Sequence, residues 1–166
     1  MYKFVSIKKY ILFKLFGEFF IDYGDASATA CFNIHTFRWD SHILSNVLDV
    51  KKGKFGEPVD CTFVLKGMKK EYAKVMGPRE DIPVAVGSGD GMLANAGCGV
   101  YDDTSMSCTI GTSGALRIAT NKPLLDEFQR TWCYCFTKDT WVAGGARHHP
   151  LVPRMLQWLR LVPSAI

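Results

Sequence analysis

The segment best suited to chemistry is a glycine-rich stretch around one carboxylate, Asp90, in the sequence IPVAVGSGDGMLANAG. Glycines on both sides of Asp90 leave its side chain open to a substrate. A carboxylate in such a position can act as a general base that accepts the proton of a hydroxyl group. The alternative interpretation is an aspartate that hydrogen-bonds its own turn, which is common. The residues alone leave both possibilities open.

Known phosphate- and metal-binding loops do not account for this stretch. A dinucleotide fingerprint needs a glycine at the position of Met92, and a P-loop needs Gly-Lys-Ser/Thr. An EF-hand needs several spaced acidic residues, whereas Asp90 stands alone. What remains is one carboxylate after a predicted strand, and α/β folds place ligands at the carboxyl ends of strands.

A second candidate loop, TIGTSG, covers Thr109–Gly114. A hairpin turn of this composition can present backbone N–H groups and two hydroxyls to phosphate oxygens. An ordinary glycine turn is the alternative. A base and a phosphate loop close together in the sequence predict phosphoryl transfer, in which positioning and charge stabilisation carry most of the catalysis.

The elements that must position these residues begin with a helix predicted over Ile7–Phe16, capped by Ser6 and ended by Gly17. Four-residue spacing predicts a buried apolar stripe on this helix, with the adjacent lysines facing water. The predicted stripe consists of Ile7, Ile11 and Leu15, and the lysines are Lys8 and Lys9.

The rest of the chain alternates short helices and strands and then changes character. Further helices are predicted over Ile43–Val47, Glu71–Gly77, the GMLANAG segment and Arg154–Val162. Ser105–Thr120 and Thr131–Ala146 each predict two antiparallel strands. The pattern predicts an α/β part followed by antiparallel strands, with a domain boundary near residue 100.

Composition favours a folded protein of one ordinary domain or parts of two. The chain has 166 residues, 48% hydrophobic and 22% charged, with a net charge of +4. No nucleic-acid-binding motif, secretory signal or apolar run of the roughly 18 residues that span a bilayer is present, so we expect a cytoplasmic protein without nucleic-acid or membrane partners. The six cysteines are therefore expected to be reduced, and their spacing predicts no metal site.

Four motifs in order resemble the FGGY carbohydrate kinases, most closely the gluconate kinase branch. They are VSIKKYILFKLFGEFFIDYGDASATACFNIHTFRWD, VLKGMKKEYAKVMG, GSGDGMLANAGCG and TIGTSGALR. The resemblance implies two actin-like, ribonuclease H-like α/β domains, with the active site in the cleft between them. Residues 1–100 would belong to the sugar-binding domain and residues 101–166 to the nucleotide-binding domain.

The resemblance also implies phosphorylation of a sugar or sugar-acid hydroxyl, with gluconate as the expected acceptor. ATP would be the donor, with Mg²⁺ held through the nucleotide. By motif match, Asp90 takes the place of the catalytic base, and Gly91 lies beside the sugar. Gly111 and Thr112 match the loop that meets the ATP phosphates, and Gln157 matches a nucleotide-side position. The segment DYGDASAT matches a structural signature of the first domain, and its Asp22, Ser27 and Thr29 are not expected to be catalytic.

Three features depart from the family pattern. No Asp-x-Gly-Thr-Thr phosphate hairpin precedes the first motif, and the sequence given stops at Ile166 before the adenosine-binding glycines. The segment GGARHHPLVPRMLQWLR replaces a Gly/Asn-rich turn and puts Pro153 where a nucleotide-contacting glycine would fall. We therefore expect a central fragment that is incomplete in both domains. It either acts with missing parts supplied elsewhere or is a truncated, non-catalytic product. The oligomeric state stays open.

Overall fold

The computed structural model describes residues 3–111 and 113–148. The chain forms two compact units, which divide between Ser88 and Gly89 and are treated separately below. The boundary predicted near residue 100 refers to the two domains of the kinase family, and it stays a prediction.

Short helices and two-stranded sheets make up the described part of the first unit. Its α-helices are α1 (Ile7–Phe16), α2 (Tyr23–Ser27) and α3 (Lys70–Met76). A π-helical turn covers Ile43–Val47, and a 3₁₀ turn covers Lys52–Lys54. Its strands are β1 (Phe20–Asp22), β2 (Phe32–Asn33), β3 (Arg38–Trp39), β4 (Glu57–Val59), β5 (Val64–Leu65) and β6 (Val84–Ala85). β1 and β4 pair in parallel, whereas β2–β3 and β5–β6 are antiparallel pairs.

Helix α1 begins and ends where its sequence predicts. The Ser6 hydroxyl accepts a hydrogen bond of 3.3 Å from the backbone N–H of Lys9, which caps the first turn. Gly17 takes the left-handed conformation, with φ of 87°, and donates its N–H to the carbonyl of Phe13 at 2.8 Å. The predicted helix Ile7–Phe16 is thereby confirmed.

The predicted buried face of α1 is wrong. Ile7 is 79% exposed and Ile11 is 51% exposed, whereas Leu12 is 6% exposed and Lys9 only 3%. Apolar residues occur around most of this helix, so spacing alone does not select a face; the packing partners do. The Lys9 stem runs so close to Gly56 that a Cβ added there would lie 3.0 Å from Lys9 Cδ. Burial, reinforced by nearby Lys3, lowers the pKa of Lys9.

The core of the first unit forms where α1 meets the strands. One cluster of buried apolar side chains unites the helix with strands β4 and β5 and the segment after β6. Its members are Leu12, Val59, Leu65 and Val86, with Phe16 and Phe20 packed against them. Leu12 is therefore the buried side chain that α1 contributes to this cluster.

The described part of the second unit consists of one helix packed on a four-stranded antiparallel sheet. The helix is α4 (Asp90–Gly97), and the strands are β7 (Met106–Ile110), β8 (Ser113–Thr120), β9 (Trp132–Cys135) and β10 (Trp141–His148). The sheet order is β7-β8-β10-β9. Alternation along β8 places Arg117 on one face with Ala115, and Leu116 and Ile118 on the other.

Most predicted elements are confirmed. Helical segments occur at Ile43–Val47, α3 and α4, and the four predicted strands are β7 to β10. The strand expected before Asp90 is only the two-residue β6, and its partner β5 is antiparallel. The helix predicted over Arg154–Val162 lies outside the described residues.

The structure has all six cysteines as free thiols, of which Cys98 and Cys108 are exposed. In the described part of the chain no helix is long and apolar enough to cross a bilayer. Among residues 3–111 and 113–148, no three His, Cys, Asp or Glu side chains come together as a metal site would need.

Candidate active site

The segment that leads to Asp90 is held by backbone and side-chain hydrogen bonds. Val86 donates its N–H to the carbonyl of Phe63 at 3.0 Å, and Gly87 donates to that of Cys61 at 2.9 Å. The Ser88 hydroxyl donates to Oδ2 of Asp22 at 2.7 Å, and both residues are buried. Three consecutive residues before Gly89 therefore have fixed partners within the first unit.

Asp22 organises the end of β1. Its Oδ2 also accepts the backbone N–H groups of Gly24 and Asp25, at 3.1 and 3.2 Å, and so caps α2. The Lys8 ammonium pairs with Oδ1 of Asp22 and also reaches Asp25, at 3.2 Å. Burial, followed by the repulsion of the Asp22 carboxylate, raises the pKa of Asp25, against the opposing effect of Lys8.

The other residues of the DYGDASAT segment also bond locally. The hydroxyl of Ser27 donates to the carbonyl of Tyr23, and that of Thr29 donates to the carbonyl of Ala26, each at 2.6 Å. These contacts support the structural role expected of the segment.

Asp90 is the first residue of α4, and its side chain is exposed. Its Oδ1 accepts the backbone N–H of Gly91 at 2.7 Å. Oδ2 has no hydrogen bond among the described residues, so it is available to accept a proton from a ligand hydroxyl. An acidic residue in the first turn also suits the partial positive charge of a helix N-terminus. The local bond is that of a turn aspartate, and the open Oδ2 leaves the general-base interpretation a prediction.

Helix α4 is fixed to the sheet through a buried amide. Asn95, which is 1% exposed, donates from Nδ2 to the carbonyl of Val100 at 2.9 Å. Its Oδ1 accepts the hydroxyl of Ser107 on β7 at 2.6 Å. Because both ends of this amide are satisfied, the helix that carries Asp90 has a defined position on the sheet.

Arg117, which the sequence analysis overlooked, lies beside Gly91. A Cβ added at Gly91 would be 3.1 Å from Arg117 Nε and 3.4 Å from Nη2, a tight contact that would push the guanidinium back by a few tenths of an ångström. Nη1 donates to the hydroxyl of Thr109 at 2.9 Å. Nε is enclosed and has no partner among the described residues. An unpaired buried donor costs about 1–3 kcal/mol in a neutral group and more in a charged one, so such a group calls for an explanation.

A signal for Arg117 was present in the sequence. It interrupts the apolar run ALRIA within a predicted strand, next to the hydroxyl-rich TIGTSG loop. A charged residue inside such a run is a candidate for a ligand contact. Its closeness to Gly91 depends on how α4 packs on the sheet, which spacing does not reveal.

The nucleotide-side residues are described only in part. Gly111 is exposed, and its N–H donates to the carbonyl of Ser113 at 3.0 Å, so that amide is already paired. A Cβ there would meet only an ordinary contact, 3.8 Å from Ser113 O. Thr112 and Gln157 lie outside the described residues. The described residues therefore do not form a cradle that fits a triphosphate.

A cavity of about 310 Å³ lies in the second unit. Apolar side chains of the sheet and the 124–131 segment line much of it, including Ile118, Leu125 and Phe128. Arg117 also lines this cavity, whereas none of the site residues predicted from the sequence does.

Comparison with known proteins gives the class of protein. The model of the FGGY family of carbohydrate kinases, N-terminal domain, matches residues 1–97. This chain belongs to the FGGY family of carbohydrate kinases.

Individual relatives place the chain within the family. Gluconokinase from Bacillus licheniformis is 34% identical over 158 residues, which make up 95% of this chain and 30% of that protein. Gluconate kinase from Lactobacillus acidophilus superposes with a TM-score of 0.82 at 31% identity, over 87% of this chain and 29% of that structure. Xylulose kinase from the same organism gives 0.85 at 30% identity, over 96% of this chain and 32% of that structure.

These matches confirm the expected actin-like, ribonuclease H-like α/β fold and the resemblance to gluconate kinases. The chain spans less than a third of the length of the relatives it matches. It therefore matches a part of each such kinase.

Proposed function

We propose that this chain carries the acceptor side of an ATP-dependent kinase that phosphorylates a hydroxyl of a sugar acid, gluconate being the expected substrate. The observation that carries this proposal is the exposed carboxylate of Asp90 at the start of α4, between Gly89 and Gly91, with the guanidinium of Arg117 lying beside Gly91. The 34% identity to a gluconokinase supports the choice of substrate.

Asp90 is assigned the role of general base. The Gly91 N–H holds Oδ1 at 2.7 Å, which orients the carboxylate and leaves Oδ2 to accept the proton of the attacking hydroxyl. The space left by the missing side chain at Gly91 is taken by the guanidinium of Arg117. Removing this proton as the oxygen attacks makes the hydroxyl a better nucleophile.

The donor side is assigned from the family. MgATP, when bound, supplies the phosphoryl group, and Gly111, Thr112 and Gln157 are proposed to contact the nucleotide. The Gly111 amide is paired with Ser113, and Thr112 and Gln157 lie outside the described part of the chain.

A second candidate is a chain that binds the acceptor but does not phosphorylate it by itself. The observation that favours this candidate is the same paired amide of Gly111, because a loop whose donor is already used holds a phosphate less well. Gluconate binding without ADP release would identify this case.

The test is a substrate panel on the purified protein. ADP release is measured with MgATP and each of gluconate, xylulose and glycerol, and binding of each acceptor is measured by calorimetry. We expect the highest kcat/KM with gluconate. A preference for xylulose or glycerol would contradict the sugar-acid assignment, and failure to bind any of the three would contradict the proposed function. A cytoplasmic location, without nucleic-acid or membrane partners, stays a prediction.

A further inference from the structure

The guanidinium of Arg117 holds donors that the described residues do not use. Among the residues that the structure describes, Nη1 has the Thr109 hydroxyl as its partner at 2.9 Å, whereas Nε is enclosed and has none. A guanidinium is always charged and has no acceptor atoms of its own, so its N–H groups need acceptors from elsewhere.

The unused N–H donors lie together on one edge of the Arg117 guanidinium. The atoms nearest to a Cβ built on Gly91 are Nε at 3.1 Å and Nη2 at 3.4 Å. These two nitrogens present the pair of parallel N–H donors that binds a carboxylate in bidentate fashion. The edge suited to an oxyanion therefore lies against the residue that follows Asp90.

Two other arginines bind a carboxylate of the protein, which Arg117 does not do among the described residues. Arg130 reaches Asp126 through Nε at 2.9 Å and Nη2 at 2.5 Å, and Arg79 pairs with Asp81 through the same two nitrogens. Within the described residues, Arg117 has no carboxylate within ion-pair distance. In Arg79 and Arg130, a carboxylate of the protein occupies the Nε and Nη2 side of the guanidinium. At Arg117 the same side is left for a ligand.

We propose that Arg117 binds the carboxylate of a sugar-acid substrate whose hydroxyl is held at Asp90, and so selects acids over neutral sugars. This inference rests on the proposed function. The carboxylate approaches Nη2 first, and the guanidinium then turns away from Gly91 so that Nε–H gains its missing acceptor. A phosphoryl group can accept the same two N–H donors, so inorganic phosphate is the competing ligand that an experiment must distinguish from a carboxylate.

The direct test observes the Nε–H group of Arg117 by ¹⁵N NMR in the purified protein. Its signal is assigned by its loss in Arg117→Lys. The protein is titrated with gluconate, with glucitol, in which a CH₂OH group replaces the carboxylate, and with inorganic phosphate. We expect gluconate to move the signal and glucitol to leave it unchanged. The inference is overturned if gluconate leaves the signal unmoved, or if phosphate moves it as far at the same concentration.

Affinity measurements on variants give a second test. Arg117→Met should raise the Kd for gluconate about 10- to 100-fold, the loss expected for a hydrogen-bonded charge pair, and Arg117→Lys should raise it less. The Kd for MgATP should change less than about twofold in both variants. Arg79→Met is the matched control, because Arg79 is 84% exposed and paired only with neighbouring Asp81; it should leave both Kd values unchanged.

The outcomes separate this inference from the proposed function. If the protein phosphorylates gluconate but Arg117→Met keeps the wild-type Kd, the inference fails and the function stands. If gluconate moves the Arg117 signal but no phosphorylation occurs, the carboxylate site stands and the kinase assignment for this chain fails.

Discussion

The hydroxyl of Ser88 donates a hydrogen bond of 2.7 Å to Oδ2 of Asp22, a residue 66 positions earlier in the chain. Asp22 is fully buried, and the same oxygen caps α2. The bond joins the end of β1 to the residue two positions before Asp90. A buried side chain shared between two distant segments makes both depend on one carboxylate.

Ser88→Ala should therefore destabilise the protein. Loss of the hydroxyl leaves Oδ2 of Asp22 with one acceptor site unfilled in a buried position, which costs about 1–3 kcal/mol of unfolding free energy. Urea denaturation followed by circular dichroism measures this loss. Ser45→Ala, at an exposed position, is the control and should stay within about 0.5 kcal/mol of wild type. Equal stability of the two variants would show that the Ser88 bond is not formed.

Two side-chain truncations on α1 can test which face of the helix is buried. Leu12→Ala removes a side chain from the core cluster and should lower the unfolding free energy by about 2–5 kcal/mol. Ile7→Ala, at a position that is 79% exposed, should change it by less than about 0.5 kcal/mol. Thermal or urea unfolding of both variants decides the point. A larger loss for Ile7→Ala would restore the stripe predicted from the sequence.

The cysteines should differ in reactivity by burial. Burial, with the nearby Asp60 carboxylate, raises the pKa of Cys61 to about 11. The thiolate is the nucleophile, so at pH 8 about one Cys61 in a thousand is reactive, against about one in ten for a thiol of pKa 9.0. Alkylation with iodoacetamide, followed by peptide mass spectrometry, should label exposed Cys98 and Cys108 first.

Raising the pH from 8 towards 11 should speed the labelling of Cys61 throughout that range, because its thiolate fraction keeps increasing. In urea, where burial is lost, Cys61 should react as fast as Cys98. Equal rates for Cys61 and Cys98 in the folded protein at pH 8 would contradict the buried, neutral thiol.

Local sequence signals predicted element boundaries well and packing poorly. Ser6 and Gly17 define the ends of α1 through contacts with residues three or four positions away, so the sequence contains the information needed. The buried face of α1 depends on Gly56 and β4, which lie about forty or more positions further along the chain. No spacing rule applied to the helix alone reports those partners.

In the candidate site, too, local features were predicted well and packing contacts were not. The glycines and the carboxylate of GSGDGM identified Asp90, and the start of α4 was predicted next to it. The strand expected before it is the short, antiparallel β6, because Val84 and Ala85 pair only with β5. Arg117 was overlooked because its relation to Gly91 arises only when α4 packs on the sheet.

The most direct test of the account is the effect of Asp90→Asn on gluconate phosphorylation by the purified protein. The amide keeps the size of the side chain but cannot accept the hydroxyl proton as a base, so kcat should fall about 10²- to 10⁴-fold. The Kd for MgATP should change less than about twofold, and the exposed control Asp103→Asn should keep the wild-type rate. A kcat for Asp90→Asn within about threefold of wild type, or a Kd for MgATP that rises as much as the rate falls, would contradict the assignment of Asp90 as the general base.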